Sequence, residues 1–165
     1  MTFFKHIPVL LIAAMSLLIA ACGDDSCYDN GSSLPLATFF VGNSQQTING
    51  LTIEGINAPG DARLIDSSSV NEAYLPLRAS ATSTSFRLWH WISLAGDAIQ
   101  LCDTITLDYQ PIEYFHSNEC GAMFNFNINH VLCTHHGIDS VVLLTPLVTN
   151  AKTPALRIYF NNSSQ

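Results

Sequence analysis

Basic side chains are scarce in this sequence: six lysines and arginines stand against thirteen aspartates and glutamates in 165 residues, for a net charge of −7 with histidines neutral. Nucleic acid and anionic membrane surfaces both reward lysine and arginine, so neither is expected as a partner. Charged residues of either sign make up only 12% of the chain. With Ser, Thr and Asn plentiful, this gives the neutral-polar surface of an exported β protein. The local signatures of catalysis are missing too. There is no Gly-x-Ser-x-Gly, no His-Glu-x-x-His, no phosphate loop and no calcium loop with correctly spaced acids. Asp24, Asp25, Asp61, Asp66, Glu72 and Asp97 fall in loop or linker stretches, where a solvated surface is a simpler reading than an acid and base pair. No enzymatic activity and no cofactor are expected. The short strand candidates at Leu51 to Ile56, Arg63 to Asp66 and Ala73 to Leu77 have no helix caps and no sustained 3.6-residue period, which turns the fold away from helices.

The first feature present is an apolar run. From Lys5 and His6 the chain enters Ile7 to Ile19, too short for a span that needs roughly 20 apolar residues. No stop-transfer charges follow, so residues 1–21 read as a cleaved secretory signal peptide. The run ends in Ile19-Ala20-Ala21-Cys22, which resembles the bacterial lipobox, where the cysteine takes a diacylglycerol and the peptide is cut just before it. Cys22 is therefore the expected lipidation site, and membrane contact is expected through lipid alone, at roughly 0.8 kcal/mol per buried methylene. Gly23-Asp24-Asp25 resembles a short acidic export signal of some Gram-negative groups, and a solvated linker is the plainer alternative. The expected location is the outer membrane, lipid-anchored, on its periplasmic or cell-surface face.

Beyond Cys22 four cysteines remain, Cys27, Cys102, Cys120 and Cys133. An even number in an oxidising compartment suggests two disulfides. Three pairings are open. We favour Cys27 with Cys120, tying the N-terminal segment to the body, and Cys102 with Cys133, joining two strands. A bridge closing a loop of about 100 residues contributes on the order of 4–5 kcal/mol if its geometry is unstrained.

The remainder divides into a tether over residues 22–33, a β domain over 34–160 and a polar tail over 161–165. Strands are expected at Leu34 to Val41, Leu51 to Ile56, Arg63 to Asp66, Ala73 to Leu77, Ser85 to Leu94 and Ile99 to Tyr109. Further strands are expected from Cys120 to Cys133, Asp139 to Leu147 and Leu156 to Phe160. Gly96-Asp97 marks a hairpin between two alternating runs. Ser67-Ser68-Ser69 reads as a turn, and Gln110 to Glu119, which contains Pro111, as a long connection. About nine short strands with little helix predict an antiparallel β-sandwich, immunoglobulin-like or similar.

At this point a family likeness is carried by named residues. Cys27 behind a lipobox, the strand Asp103-Thr104-Ile105-Thr106-Leu107, Asn118-Glu119-Cys120-Gly121, His136-Gly137-Ile138-Asp139-Ser140-Val141 and the closing Leu156-Arg157-Ile158-Tyr159-Phe160 resemble a family of small uncharacterised lipoproteins from Bacteroides-type bacteria. The resemblance implies a lipid-anchored β domain and supplies no catalytic residues. It features Cys27 and Cys120 more plainly than Cys102 and Cys133.

Two clusters bear on binding. His130, Cys133, His135 and His136, with His116 and Cys120 nearby, are of zinc-ligating type. In an extended segment, however, His135 and His136 face opposite ways, so no metal site is expected. In Trp89-His90-Trp91, an extended strand places Arg87, Trp89 and Trp91 on one face and Phe86, Leu88, His90 and Ile92 on the other. If the latter face is core, the tryptophans form an outer ledge suited to stacking on a glycan. Alternatively both faces are covered and the indoles are simply packed. A glycan or an envelope protein is the expected partner, and a structural subunit of an envelope complex is the second reading.

Overall fold

The computed structural model describes residues 33–58, 63–118 and 120–161. The expected leader, the lipidation site Cys22 and Cys27 lie outside these. The described residues form eleven strands in two sheets. They are β1 (Leu36–Val41), β2 (Ser44–Gln45), β3 (Ile48–Gly55), β4 (Arg63–Val70), β5 (Glu72–Tyr74) and β6 (Ser83–Leu94), followed by β7 (Asp97–Ser117), β8 (Gly121–Cys133), β9 (Ile138–Leu143), β10 (Leu147–Val148) and β11 (Pro154–Phe160). The smaller sheet runs β2-β1-β11-β9, with β5 also on β1; the larger, curled sheet runs β10-β8-β7-β6-β3-β4.

Period-two alternation dictates which faces meet. Along β6, Thr84, Phe86, Leu88 and His90 point inward, while Arg87 and Trp91 point out. Phe86 and Leu88 join Ile105, Leu107 and Tyr109 from β7, Leu51 and Ile53 from β3, and Phe39, Leu156, Ile158 and Phe160 from the smaller sheet in one apolar core. Fully burying such side chains contributes about 1.5–3 kcal/mol each. Phe39 meets Phe160 edge-on at 5.8 Å across β1 and β11. At the opposite end Tyr109 packs edge-on to Phe126 at 5.4 Å, and its hydroxyl, 2.8 Å from Thr84 Oγ1, accepts the Arg78 N–H at 3.0 Å. The chain crosses between sheets at Asn71, whose carbonyl accepts the Phe39 N–H at 3.0 Å, and near Pro146, whose carbonyl accepts the Ile128 N–H at 2.8 Å.

Four expectations change here. The smaller sheet is not wholly antiparallel: β1 and β11 run parallel, from Ala37 beside Leu156 to Val41 beside Phe160. Gln110 to Ser117 is not a loop, because β7 continues through it for 21 residues. Pro111 is tolerated there for a positional reason. The Tyr109 N–H points toward β6 and bonds Thr82 O at 2.8 Å. Two residues on, the missing N–H of Pro111 faces the same side, where β6 has already ended. Ser67 to Ser69 is strand as well, bent within β4 by register shifts against β3, with Ser67 at φ 42°.

The fourth change concerns the cysteines, since Cys102 and Cys133 are free thiols. Cys102 sits opposite Trp89, on the outward face, whereas Cys133 sits opposite Ile105 and packs against the core. Alternation therefore sends their side chains to opposite faces of one sheet, and no bridge can form. Burial, with the Asp103 charge adding to it, pushes the Cys133 thiol up to about 12, so it stays protonated at neutral pH.

Candidate functional site: an aromatic groove beside a buried polar latch

On the outer face of the larger sheet, cross-strand pairing builds short rows. Thr52, Trp89 and Cys102 form one, Glu54, Arg87 and Thr104 a second, and Trp91 pairs with Gln100. Glu54 Oε1 accepts from Arg87 Nη1 at 3.0 Å and from Trp89 Nε1 at 3.4 Å. Trp91 is 43% exposed. It rests on Gly50, which has φ +63°; a Cβ there would lie 3.1 Å from the indole Cδ1. A missing side chain is thus what lets the ring settle onto β3. β4 curls over the same face, and the Ser67 N–H donates to Thr52 Oγ1 at 3.0 Å. The result is a groove of about 350 Å³ lined by Thr52, Arg63, Asp66, Ser67, Trp89, Trp91 and Gln100.

Of the ledge residues named from sequence, Trp89 and Trp91 line this groove, and Arg87 lies just outside it, tied to Glu54. The lining supplied by β4 and Gln100 was missed. Gly50, an isolated glycine in a strand, was the signal that could have located the close approach. A larger hollow of about 470 Å³ between the β1–β2 turn and β9 is lined by Gly42, Asn43, Asp139, Ser140, Tyr159 and their neighbours. Of its two aromatic residues, Tyr159 and Phe160, the second is a buried core side chain, so the hollow presents one ring where the groove presents two, and the groove is the better ligand platform.

The second constellation lies beneath the same strand. Asp103 has no exposed surface, yet its carboxylate is fully used. Oδ1 accepts from Thr134 Oγ1 at 2.7 Å and from the His136 N–H at 2.8 Å. Oδ2 accepts from the Gly137 N–H at 2.8 Å and the Ile138 N–H at 3.0 Å. Three successive backbone N–H groups thus wrap one anion, in the manner of a backbone nest. Burial alone would raise the Asp103 carboxyl, but the donors from His136, Thr134, Gly137 and Ile138 together hold it below its ordinary value. What this carboxylate fastens is the crossing from β8 to β9, where the chain passes from the larger sheet to the smaller. The Gly137 carbonyl then accepts the Asn161 N–H at 2.9 Å, joining the end of β11 to the same point.

His90 closes the cluster from the core side. It is wholly buried, meets Phe160 edge-on at 5.1 Å, and has Nε2 3.5 Å from Asp103 Oδ2. Neither ring nitrogen has a hydrogen-bond partner. Burial pushes the imidazole below its ordinary pKa, and the neighbouring Asp103 carboxylate offsets this only in part. A histidine lowered on folding leaves the native state with fewer protons than the unfolded chain below about pH 6.5. Its share of stability is complete above that pH and is lost as pH falls. Urea midpoints between pH 7.5 and 5 are therefore expected to decline more steeply in the native sequence than in His90→Leu. At pH 7.5 the leucine variant is expected to be no less stable, because two unsatisfied buried nitrogens are gone. Equal slopes for the two proteins would show that His90 is not the group responsible.

The other histidines are dispersed. His130 Nδ1 lies 3.9 Å from Asp108, His135 Nδ1 lies 3.2 Å from the Ile138 carbonyl, and His136 Nδ1 lies 3.2 Å from Asp103 Oδ1. Among the described residues no three His, Cys, Asp or Glu side chains come together to hold a metal ion.

These observations define an all-β protein of two sheets around one core, with an open aromatic groove outside and an anion-centred latch within. The chain belongs to a family of unknown function, DUF6452, whose profile matches residues 50–160. That span holds both the groove and the latch. No curated protein and no solved structure matches the chain.

Proposed function

We propose that this protein is a lipid-anchored lipoprotein of a Bacteroides-type cell envelope, a non-enzymatic binding or accessory module whose β-sandwich body presents the Trp89–Trp91 groove to a glycan. The observation that carries this reading is Trp91, left 43% exposed on a strand whose opposite face is core. Flat apolar ring faces in a hydroxyl-rich groove suit sugars, whose own ring faces are apolar and whose edges are polar. The anchor rests on the signal-like run and the Ile19-Ala20-Ala21-Cys22 sequence. We further propose a Cys27–Cys120 bridge joining tether to body. Its support is that the family likeness features Cys27 and Cys120, while Cys102 and Cys133 are free and face opposite sides of one sheet.

A glycan array probed with the purified protein tests the binding role. Selective binding that weakens at least tenfold in Trp89→Ala and Trp91→Ala supports it, whereas no sugar binding together with a stoichiometric envelope-protein partner supports a structural subunit. The anchor has a separate test. Cells fed labelled palmitate are expected to label the native protein and not Cys22→Ser, and label retained in the variant would end the lipobox reading.

A further inference from the structure

The groove has the chemistry of a site for an uncharged ring. Arg63, the one cation in its lining, is already paired, with Nη1 at 2.6 Å from Asp66 Oδ1. Arg87, just outside, is held by Glu54 at 3.0 Å. No unpaired cation therefore lines it among the described residues, and the whole chain is at −7. An acidic sugar would gain no cation that is not already neutralised and would meet the Asp66 carboxylate. Thr52, Ser67 and Gln100 instead offer neutral donors and acceptors, and a carboxylate such as Asp66 can accept from hydroxyls with the oxygen that Arg63 leaves open.

The aromatic walls are set in advance. Trp89 is tied to Glu54 through its indole N–H at 3.4 Å, and Trp91 is seated on the bare backbone of Gly50. Neither ring has to be ordered by the ligand, which lowers the entropic cost of binding. At about 350 Å³ the groove lies near the lower end of ligand sites, which run from about 300 to 1,000 Å³. That accommodates one or two sugar rings rather than a long chain.

We infer that the groove takes a neutral pyranoside, its ring face laid on Trp91 and its hydroxyls bonded by Asp66 and Gln100. This rests on the glycan reading above and narrows it to uncharged sugars.

Titration calorimetry of the purified protein with neutral gluco-, manno- and xylo-oligosaccharides, set beside oligogalacturonates, tests it. A neutral oligosaccharide is expected to bind saturably, with an affinity that changes less than twofold between 50 and 500 mM NaCl, as an uncharged contact requires. Trp91→Ala is expected to weaken it at least tenfold. Gly50→Ala keeps the indole but crowds it by a few tenths of an ångström and strains the backbone at φ +63°, and is expected to weaken binding several-fold. Tighter, salt-sensitive binding of the oligogalacturonate through Trp91 would overturn the neutral-sugar inference while leaving the glycan reading standing. Binding of no saccharide, or binding indifferent to Trp91→Ala with the variant folded by circular dichroism, would overturn both.

Discussion

Asp103→Ala is expected to lower the free energy of unfolding by about 3–5 kcal/mol, the cost of removing one partner from a buried charged network. The reason is the number of groups that depend on one carboxylate. Without it the N–H groups of His136, Gly137 and Ile138 and the Thr134 hydroxyl all lose their acceptor at once, and those of Gly137 and Ile138 are buried. Asp103→Asn is expected to fall between, since it keeps the shape but turns an amide NH2 toward donors. Acid should reproduce the loss in the native sequence. A carboxyl held low in the folded state contributes in full above the unfolded value of about 3.9, and that contribution disappears as pH falls through the lower folded one. Urea unfolding of the three proteins at pH 7 and at stepped acid pH provides the check. A variant that unfolds at the native midpoint would show that the β8–β9 crossing is held by something else.

Gly137→Ala is expected to be nearly as damaging, for a steric reason. A Cβ at this position would lie 2.1 Å from His90 Cε1, 2.5 Å from His90 Nε2 and 2.9 Å from Leu101 Cδ1. His90 is wholly buried and packed on Phe160, so the ring has nowhere to retreat. Overpacking of this kind costs about 1–3 kcal/mol, occasionally more. If the overlap with His90 is the cause, the two substitutions must be strongly coupled. In His90→Ala the ring is gone, and adding Gly137→Ala is then expected to cost at least ~1 kcal/mol less than it does alone. Thermal unfolding of the two single variants and the double variant measures this coupling. Simple additivity would place the strain in the backbone rather than in the ring contact.

The sheet character of the chain was legible because alternation is a local property. Phe86, Leu88 and His90 could be set against Arg87, Trp89 and Trp91 from spacing alone, and the structure places them so. Pairing between distant strands is not local, and most of what was missed lies there. Parallel alignment of β1 with β11 has no sequence period of its own. The Cys102–Cys133 bridge was proposed without a register, and register is what separates the two thiols.

The latch is the instructive case. Asp103 and His90 each interrupt an otherwise apolar face, and a charged residue in such a position implies a buried partner. That signal is present in the sequence. What it lacked was the pairing of Leu88 with Asp103 and of His90 with Leu101, which makes the two interruptions diagonal neighbours. His136, which stands out in the sequence as a ligand-type histidine, and Gly137, which stands out only as part of a family likeness, supply N–H groups that bind Asp103.

The position of β11 has a consequence for how the molecule is made. This strand, the last among the described residues, lies in the interior of its sheet, flanked by β1 on one side and β9 on the other. Synthesis delivers it after both of its neighbours, so until Phe160 has emerged β1 and β9 each lack their shared partner and the core lacks one wall. Closure across so many intervening residues is slow compared with local hairpins. A nascent chain should therefore acquire its β6–β7–β8 hairpins early and its protease resistance late, in a single step that waits for β11.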